Sequence, residues 1–485
     1  SGYMKDATSG EGLIGASVYV KELKTGNVTN TYGFYSLTLP LGQYTLVFSS
    51  SGYNKIERSI QISATDQTLN LELSPASQEL AEVIVKARAN DENVKGIEMS
   101  VNKVDIKTIR KIPALLGEVD LVRAIQLLPG VSTVGEGASG FNVRGGGVDQ
   151  NLVLLDDAPV YNSSHLFGFF SVFNPDAVKD VKLFKGGIPS MYGGRASSIL
   201  DVKMKEGNAK KLEVNGGIGV IFSRLSIEAP IVKDKASFIV AARRSYIDIL
   251  AKPFLTGNNA NASFNFYDLT AKVNYTINSK NTVFMSGYFG RDVFGTGFGF
   301  DWGNTTLTTR WNHVFSNKLF MNATAFYSNY DYMLDSDIEN KRPNDAFKWT
   351  SNIVNLSIKP DFTYYIRPDN TITFGGQLLT YDFTPGKANA TSNGEKREFG
   401  QANKKGVEAS AYVGHDWKLS NRVTIQYGVR YSNYDYKSAN GEYYDRIPVA
   451  LSTENPSGYV LKINQIDPEA TVATYGNWEP RFAMN

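Results

Sequence analysis

The stretch DLTAKVNYTIN, Asp268–Asn278, decides the architecture. Leu269, Ala271, Val273, Tyr275 and Ile277 fall on one side of an extended chain, and Asp268, Thr270, Lys272, Asn274 and Thr276 fall on the other. A period of two belongs to a β-strand and sends the two sets to opposite faces of a sheet. GVEASAYVGHDWKLS (Gly406–Ser420) and VTIQYGVRYS (Val423–Ser432) read the same way. In the latter, Val423, Ile425, Tyr427, Val429 and Tyr431 oppose Thr424, Gln426, Gly428, Arg430 and Ser432. From about residue 209 onward, about eleven such segments follow one another.

The connections alternate as well. VKDK at 232–235, NSKN at 278–281, SNK at 316–318, RPDN at 367–370 and SNR at 420–422 are short. Long polar loops lie between them, around 255–263, 295–303, 335–346, 385–405 and 438–476. Short turns on one side and long loops on the other are the pattern of an outer-membrane β-barrel. A large soluble all-β protein accounts for single alternating strands but not for this alternation of loop length. No apolar run approaches the ~18 residues of a membrane helix. A mean hydropathy of −0.25 fits a barrel, in which only every second residue meets lipid.

Upstream the character differs. Residues 1–75 read as a small β-sandwich, with strand-like runs at Ala16–Leu23, Thr29–Pro40, Leu41–Tyr53, Arg58–Ile62 and Leu69–Leu73. Residues 76–97 form a polar linker around the apolar stretch LAEVIVKA, Leu80–Ala87. Residues 98–208 mix signals: a helix is predicted within Gly117–Gly130, and strands at Asn151–Tyr161 and Val178–Gly186. Residues 209–485 are the barrel-like part.

Composition narrows the function. A formal charge of +2 carries no basic stripe for nucleic acid. With no cysteine and only His165, His313 and His415 as histidines, far apart, the chain lacks the usual zinc donors, so no metal and no cofactor is expected. GFNVRGGGVDQN is glycine-rich but lacks the Gly-Lys-Ser/Thr ending of a phosphate loop. No catalytic constellation is evident, so an enzyme is not expected. No signal peptide is visible at Ser1.

LLPGVSTVGEGASGFNVRGGGVDQNLVLLDDAPVYN (Leu127–Asn162), followed by HLFGFFSVFNPDAVKDVKLFKGGIPSMYGGRASSILDVKMKEG (His165–Gly207), resembles the plug of TonB-dependent outer-membrane receptors. GYMKDATSGEGLIGASVYV with TNTYGFYSLTLPLGQYTL resembles the carboxypeptidase-regulatory-like sandwich that precedes the plug in Bacteroidetes-type receptors. LAEVIVKA stands where that family has its TonB box, and NWEPRF (Asn477–Phe482) is similar to a barrel segment. The VPGV and PLYVVDG wording of SusC-like glycan importers is missing.

The resemblance implies an all-β-dominated fold. It comprises a transmembrane antiparallel β-barrel, present to about half of ~22 strands, with an α+β plug and an N-terminal β-sandwich. An open sheet edge in hydrocarbon is costly, so further strands are expected to complete the wall. It implies ligand capture at the surface of a Gram-negative outer membrane and import energised by a TonB-type periplasmic protein. Leu80, Glu82, Val83, Ile84 and Val85 would be its contact by β-augmentation. Other implied partners are an unknown small ligand or nutrient, membrane lipid and lipopolysaccharide, and further outer-membrane or lipoprotein subunits. Arg144 and Arg195 are either solvated, as is common for arginine, or lock the plug against barrel carboxylates, with Asp268, Glu408 and Asp416 as candidate lumen acids. The alternative is a receptor-like barrel serving as a non-enzymatic scaffold subunit of a surface or secretion complex.

Overall fold

The computed structural model describes residues 1–76, 101–103, 109, 120–135, 140–256, 262–295, 298–336, 346–400, 403–420, 423–438, 441–452 and 457–485. The linker segment Leu80–Ala87 lies outside the described residues, as do Gly117–Val119 of the predicted helix.

One large antiparallel sheet dominates. It runs from Glu213–Ile218 through Phe222–Val232, Ala236–Ser245, Ser263–Asn278, Asn281–Gly295, Gly299–Ser316, Leu319–Asp335, Ala346–Arg367, Asn370–Ser392, Lys404–Lys418 and Thr424–Ser438 to Thr471–Met484. Each strand pairs with the next strand of this sheet; Glu395–Gly400 folds back on the far end of Asn370–Ser392, and a separate hairpin, Glu442–Pro448 with Tyr459–Gln465, intervenes before Thr471–Met484. The central strands have 15 to 23 residues. About 9–11 suffice to cross a bilayer at a tilt, so these ribbons continue beyond the membrane on the long-loop side. The predicted period holds: Leu269 is 45% exposed while its neighbours Asp268 and Thr270 are each 3% exposed. Met285, Leu307, Leu356, Ile358 and Leu378 form part of the same exposed apolar outer face, as expected of a lipid-facing surface.

Against the inner face sits an α+β unit. Its five-stranded sheet has the order Ala158–Pro159, Asn151–Leu155, Ser198–Met204, Val178–Phe184, Val101–Lys103, with the second and third strands parallel. The predicted helix is shorter in the described residues, Leu121–Gln126, capped by the Asp120 carboxylate accepting from the Arg123 amide. Its buried face, Leu121, Val122, Ala124 and Ile125, packs with Leu183, Leu200 and Val202.

The front unit is two small sheets, the small sandwich expected. Thr25–Val28 forms an edge beside Ser17–Val20, Gly42–Ser49 and Ile56–Ile62. Gly2–Asp6 is flanked by Phe34–Tyr35 and Leu71–Leu73. Only Phe34–Tyr35 of the predicted Thr29–Pro40 strand is extended and paired, because Asn30 folds the chain into a tight turn. Its Oδ1 accepts from the Tyr32 and Phe34 amides at 2.9 and 3.0 Å. Met4, Val18, Val20, Leu46, Phe48 and Leu73 close the core.

Candidate functional site

The described residues place the densest buried chemistry where the α+β unit meets the inner wall. The LLDDAP segment turns sharply, with Asp156 and Asp157 at φ 47° and 75°, a left-handed conformation that short aspartates tolerate. The turn pushes both carboxylates toward the wall. Asp156 Oδ2 is 2.9 Å from Lys272 Nζ, with both side chains almost fully buried. Asp156 Oδ1 also accepts the Met204 amide at 3.0 Å, and Lys272 Nζ donates to the Met204 carbonyl. Asp157 pairs with Arg310 of the wall and, at 2.6 Å, with Lys203 of its own sheet. Lys203 in turn lies 3.1 Å from Asp201. Burial alone would raise the Asp157 carboxyl, but Lys203 and Arg310 hold it well below the usual carboxylate range.

A second buried cluster reverses the polarity. His165 Nδ1 is 2.6 Å from Asp292 Oδ2, and its Nε2 is 3.2 Å from both Asp268 Oδ2 and Tyr288 Oη. Arg243 grips Asp268 through Nε and Nη2, at 2.9 and 2.6 Å, and Nη2 also donates to the Ser171 carbonyl. Burial opposes the imidazolium, yet the Asp292 and Asp268 carboxylates raise its pKa to about 9. The ring stacks on Phe266 at 4.5 Å.

A third contact uses shape. Arg430, 1% exposed, donates to Ser410 Oγ at 2.6 Å and reaches Glu408 at 3.4 Å and the Met191 carbonyl at 3.4 Å. A Cβ on Gly193 would stand 2.5 Å from Arg430 Nε, so the first glycine of YGGR is what lets the guanidinium in.

Beyond His165 the segment LFGFF forms a tip. Leu166 and Phe167 both have positive φ, 50° and 57°. Two such residues together cost about 2–4 kcal/mol, and the Asp292 carboxylate holds the tip by accepting the Leu166 amide at 2.7 Å. Phe167 stays 39% exposed among Phe264, Phe294, Phe300 and Trp302, with centroids 5.0 to 6.5 Å away. These wall rings share the even-numbered, inward register of Asp268, Asp292 and Asn304, so they make an aromatic basin on the long-loop side of the α+β unit.

The residues singled out from sequence divide. Asp268 faces inward but takes Arg243 and His165 as partners. Glu408 faces inward to Arg430 and accepts from Tyr381 at 3.1 Å. Asp416 accepts from Gln426 of the adjacent strand at 2.8 Å. Arg144 lies exposed at φ 51°, its backbone amide bound to the Gly130 carbonyl. Arg195 turns back to the Gly194 carbonyl at 2.8 Å. Among the described residues the ion pairs joining the two bodies run both ways, from wall cations Lys272 and Arg310 to Asp156 and Asp157, and from His165 to the wall carboxylates Asp268 and Asp292. Chain adjacency favoured the arginine beside the glycines, but the left-handed DDAP turn puts carboxylates at the contact. The signal available was the Asp-Asp pair at a strand end; Lys272 and Arg310, inward by period, were its readable complement.

Residues 1–85 match the CarboxypepD_reg-like domain, and residues 94–198 match the TonB-dependent receptor plug domain. TonB-dependent receptor SusC of Bacteroides thetaiotaomicron is 26% identical over 235 residues, covering 45% of this chain and 22% of that protein. A TonB-dependent receptor of Formosa agariphila is 26% identical over 210 residues, covering 40% and 18%. The matched part is thus about a fifth of these relatives' length. Among solved structures, the copper transporter OprC has a TM-score of 0.56 at 12% identity, covering 80% of this chain and 60% of that one. The FrpB iron transporter of Neisseria meningitidis gives 0.54 at 13%, covering 79% and 61%. These two likenesses establish the fold.

Proposed function

We propose that this chain, which carries the front and plug domains of a Bacteroidetes-type TonB-dependent outer-membrane receptor and much of its barrel wall, binds a ligand at the cell surface and imports it through the plugged barrel. One observation carries the reading: beside local apolar contacts such as Leu166 and Phe170 against Phe222 and Phe266, the plug is held to the wall by discrete buried ion pairs at Asp156, Asp157 and His165. Such contacts are strong while aligned and are lost over a short displacement, which suits a plug that is held at rest and released under load.

The ligand enters from the long-loop side. The Phe167 basin offers ring faces and few charges, which favours a ligand with an apolar or planar face. Leu80–Ala87 supplies the strand that a periplasmic TonB-type protein pairs with and pulls. Energy comes from the inner membrane, and this chain does no covalent chemistry. Membrane lipid, lipopolysaccharide and other outer-membrane or lipoprotein subunits are the further partners of this reading.

The test is native mass spectrometry of the full-length receptor released from outer membranes, joined to cross-linking at Val83 with a TonB C-terminal domain. A co-purifying small molecule and a Val83 cross-link are expected. Absence of both, with other outer-membrane subunits retained instead, would move the protein to a scaffold role.

A further inference from the structure

The inner wall changes character near its short-turn end. Midway down, the inward residues are polar: Thr306, Thr308, Arg310, Thr324, Asn355, Ser357 and Lys359. Closer to the mouth the same register carries Phe284, Val314, Phe320 and Tyr365. A water-filled exit has no use for buried rings, and exposed to the periplasm they would be a liability.

The front domain covers them. Strand alternation sends Met4 and Tyr35 into its own core and their neighbours Tyr3 and Phe34, cross-strand partners, outward. Phe34 stacks on Phe320 at 5.2 Å and lies 6.0 Å from Tyr365. Tyr32, at the Asn30 turn, reaches deeper, between Phe284 and Phe320 at 5.8 and 5.9 Å, and its hydroxyl donates to Asn322 Oδ1 at 2.9 Å. Gly33 makes this projection possible: at φ 78°, a Cβ there would sit 2.6 Å from the Met4 carbonyl. The rim is tied by Ser36 Oγ donating to the Asn317 carbonyl and Ser1 Oγ to Asn317 Oδ1.

Further contacts join this seat to the plug. The Arg310 guanidinium that holds Asp157 also lies over the Tyr32 ring at 5.5 Å. Glu11 accepts the Glu206 amide, Ser9 accepts the Ala209 amide, and Glu72 pairs with Lys210, all along the strap from plug to barrel.

We infer that the front domain is a releasable second barrier seated in the periplasmic mouth, and that the apolar rim of Phe284, Val314, Phe320 and Tyr365 exists to receive it. A substrate that has passed the plug still meets this domain, which must unseat before the exit opens. Because Arg310 touches Tyr32 and Asp157 together, unseating the domain also loosens one plug contact. The inference needs the plugged barrel alone and neither a ligand nor an energy-coupling protein.

The experiment uses the full-length receptor in outer membranes. These 485 residues contain no cysteine, so Ser36→Cys with Asn317→Cys introduces a single pair across the seat. An Asp157→Asn background loosens the plug, and entry of fluorescent vancomycin reads the leak. The pair is expected to cross-link on oxidation, lower the leak at least tenfold, and release it again with dithiothreitol; Phe34→Ala is expected to raise it about tenfold. A second reading is independent of any leak: Val314→Cys should label at least tenfold faster with a 5 kDa maleimide when Phe34→Ala is present. Failure to cross-link, a cross-link that leaves the leak unchanged, or equal labelling rates would overturn the inference.

Discussion

Replacing Asp157 by Asn keeps the shape of the LLDDAP turn and removes one charge. The consequence can be worked from the neighbours. Lys203 retains Asp201 at 3.1 Å, so it is not stranded. Arg310, whose side chain is 2% exposed, loses its carboxylate and keeps the Asp156 carbonyl at 3.3 Å. Leaving a dry guanidinium without its counter-charge costs about 3–5 kcal/mol. The Asp157 side chain is 13% exposed and one acceptor remains, so about 2–3 kcal/mol is the appropriate size, or roughly 30- to 150-fold in the plug-loosening equilibrium. Hydrogen–deuterium exchange of the purified receptor should show this directly, as faster exchange of amides in Asn151–Leu155 and Ser198–Met204 while the barrel strands stay protected. Asp416→Asn, whose neighbour Gln426 is on the adjacent strand, serves as a control and should change exchange by less than threefold. Equal exchange in Asp157→Asn and the unchanged receptor would refute the assignment of the lock to this turn.

Spin labels at Leu269, Val273 and Val429 should report hydrocarbon; water at most of them reverses the inside–outside assignment. Proline at Val83 or Val85 removes a backbone donor and should abolish energised uptake at unchanged receptor abundance, and undiminished uptake would exclude this strand as the coupling contact. His165 has its pKa raised to about 9 in the folded state, so its contribution is complete below the unfolded value near 6.5 and fades as pH climbs through 9. Plug amide exchange should therefore accelerate between pH 7 and 10, after correction for the intrinsic rate, and His165→Gln should flatten that dependence; an unaltered profile sinks the claim. Gly193→Ala should displace Arg430 from Ser410 and reduce plug retention about tenfold, and retention at the original level would show that the wall gives way instead.

The sequence by itself determined the wall. Period two in Asp268–Asn278 and Val423–Ser432 specified strands and facing, because a membrane-spanning sheet has one apolar phase and no freedom to slip by one residue. Loop length was a weaker guide, since the long loop expected at 295–303 is only the connection 296–298 between Asn281–Gly295 and Gly299–Ser316. The front sandwich and the barrel were legible for the same reason, and the plug between them through its resemblance to a known domain. Pairing across the lumen was not. Arg144 and Arg195 stand beside glycines that suggest close approach, yet the wall cations meet Asp156 and Asp157, because a left-handed turn rather than chain proximity aims those carboxylates. The seat of Tyr32 and Phe34 against Phe284 and Phe320 was equally hidden. Rings some 250 residues or more apart carry no local sign of each other, and only the folded domains bring them together. Local periodicity fixes which face a residue takes; what waits on the other side of that face is decided by tertiary packing alone.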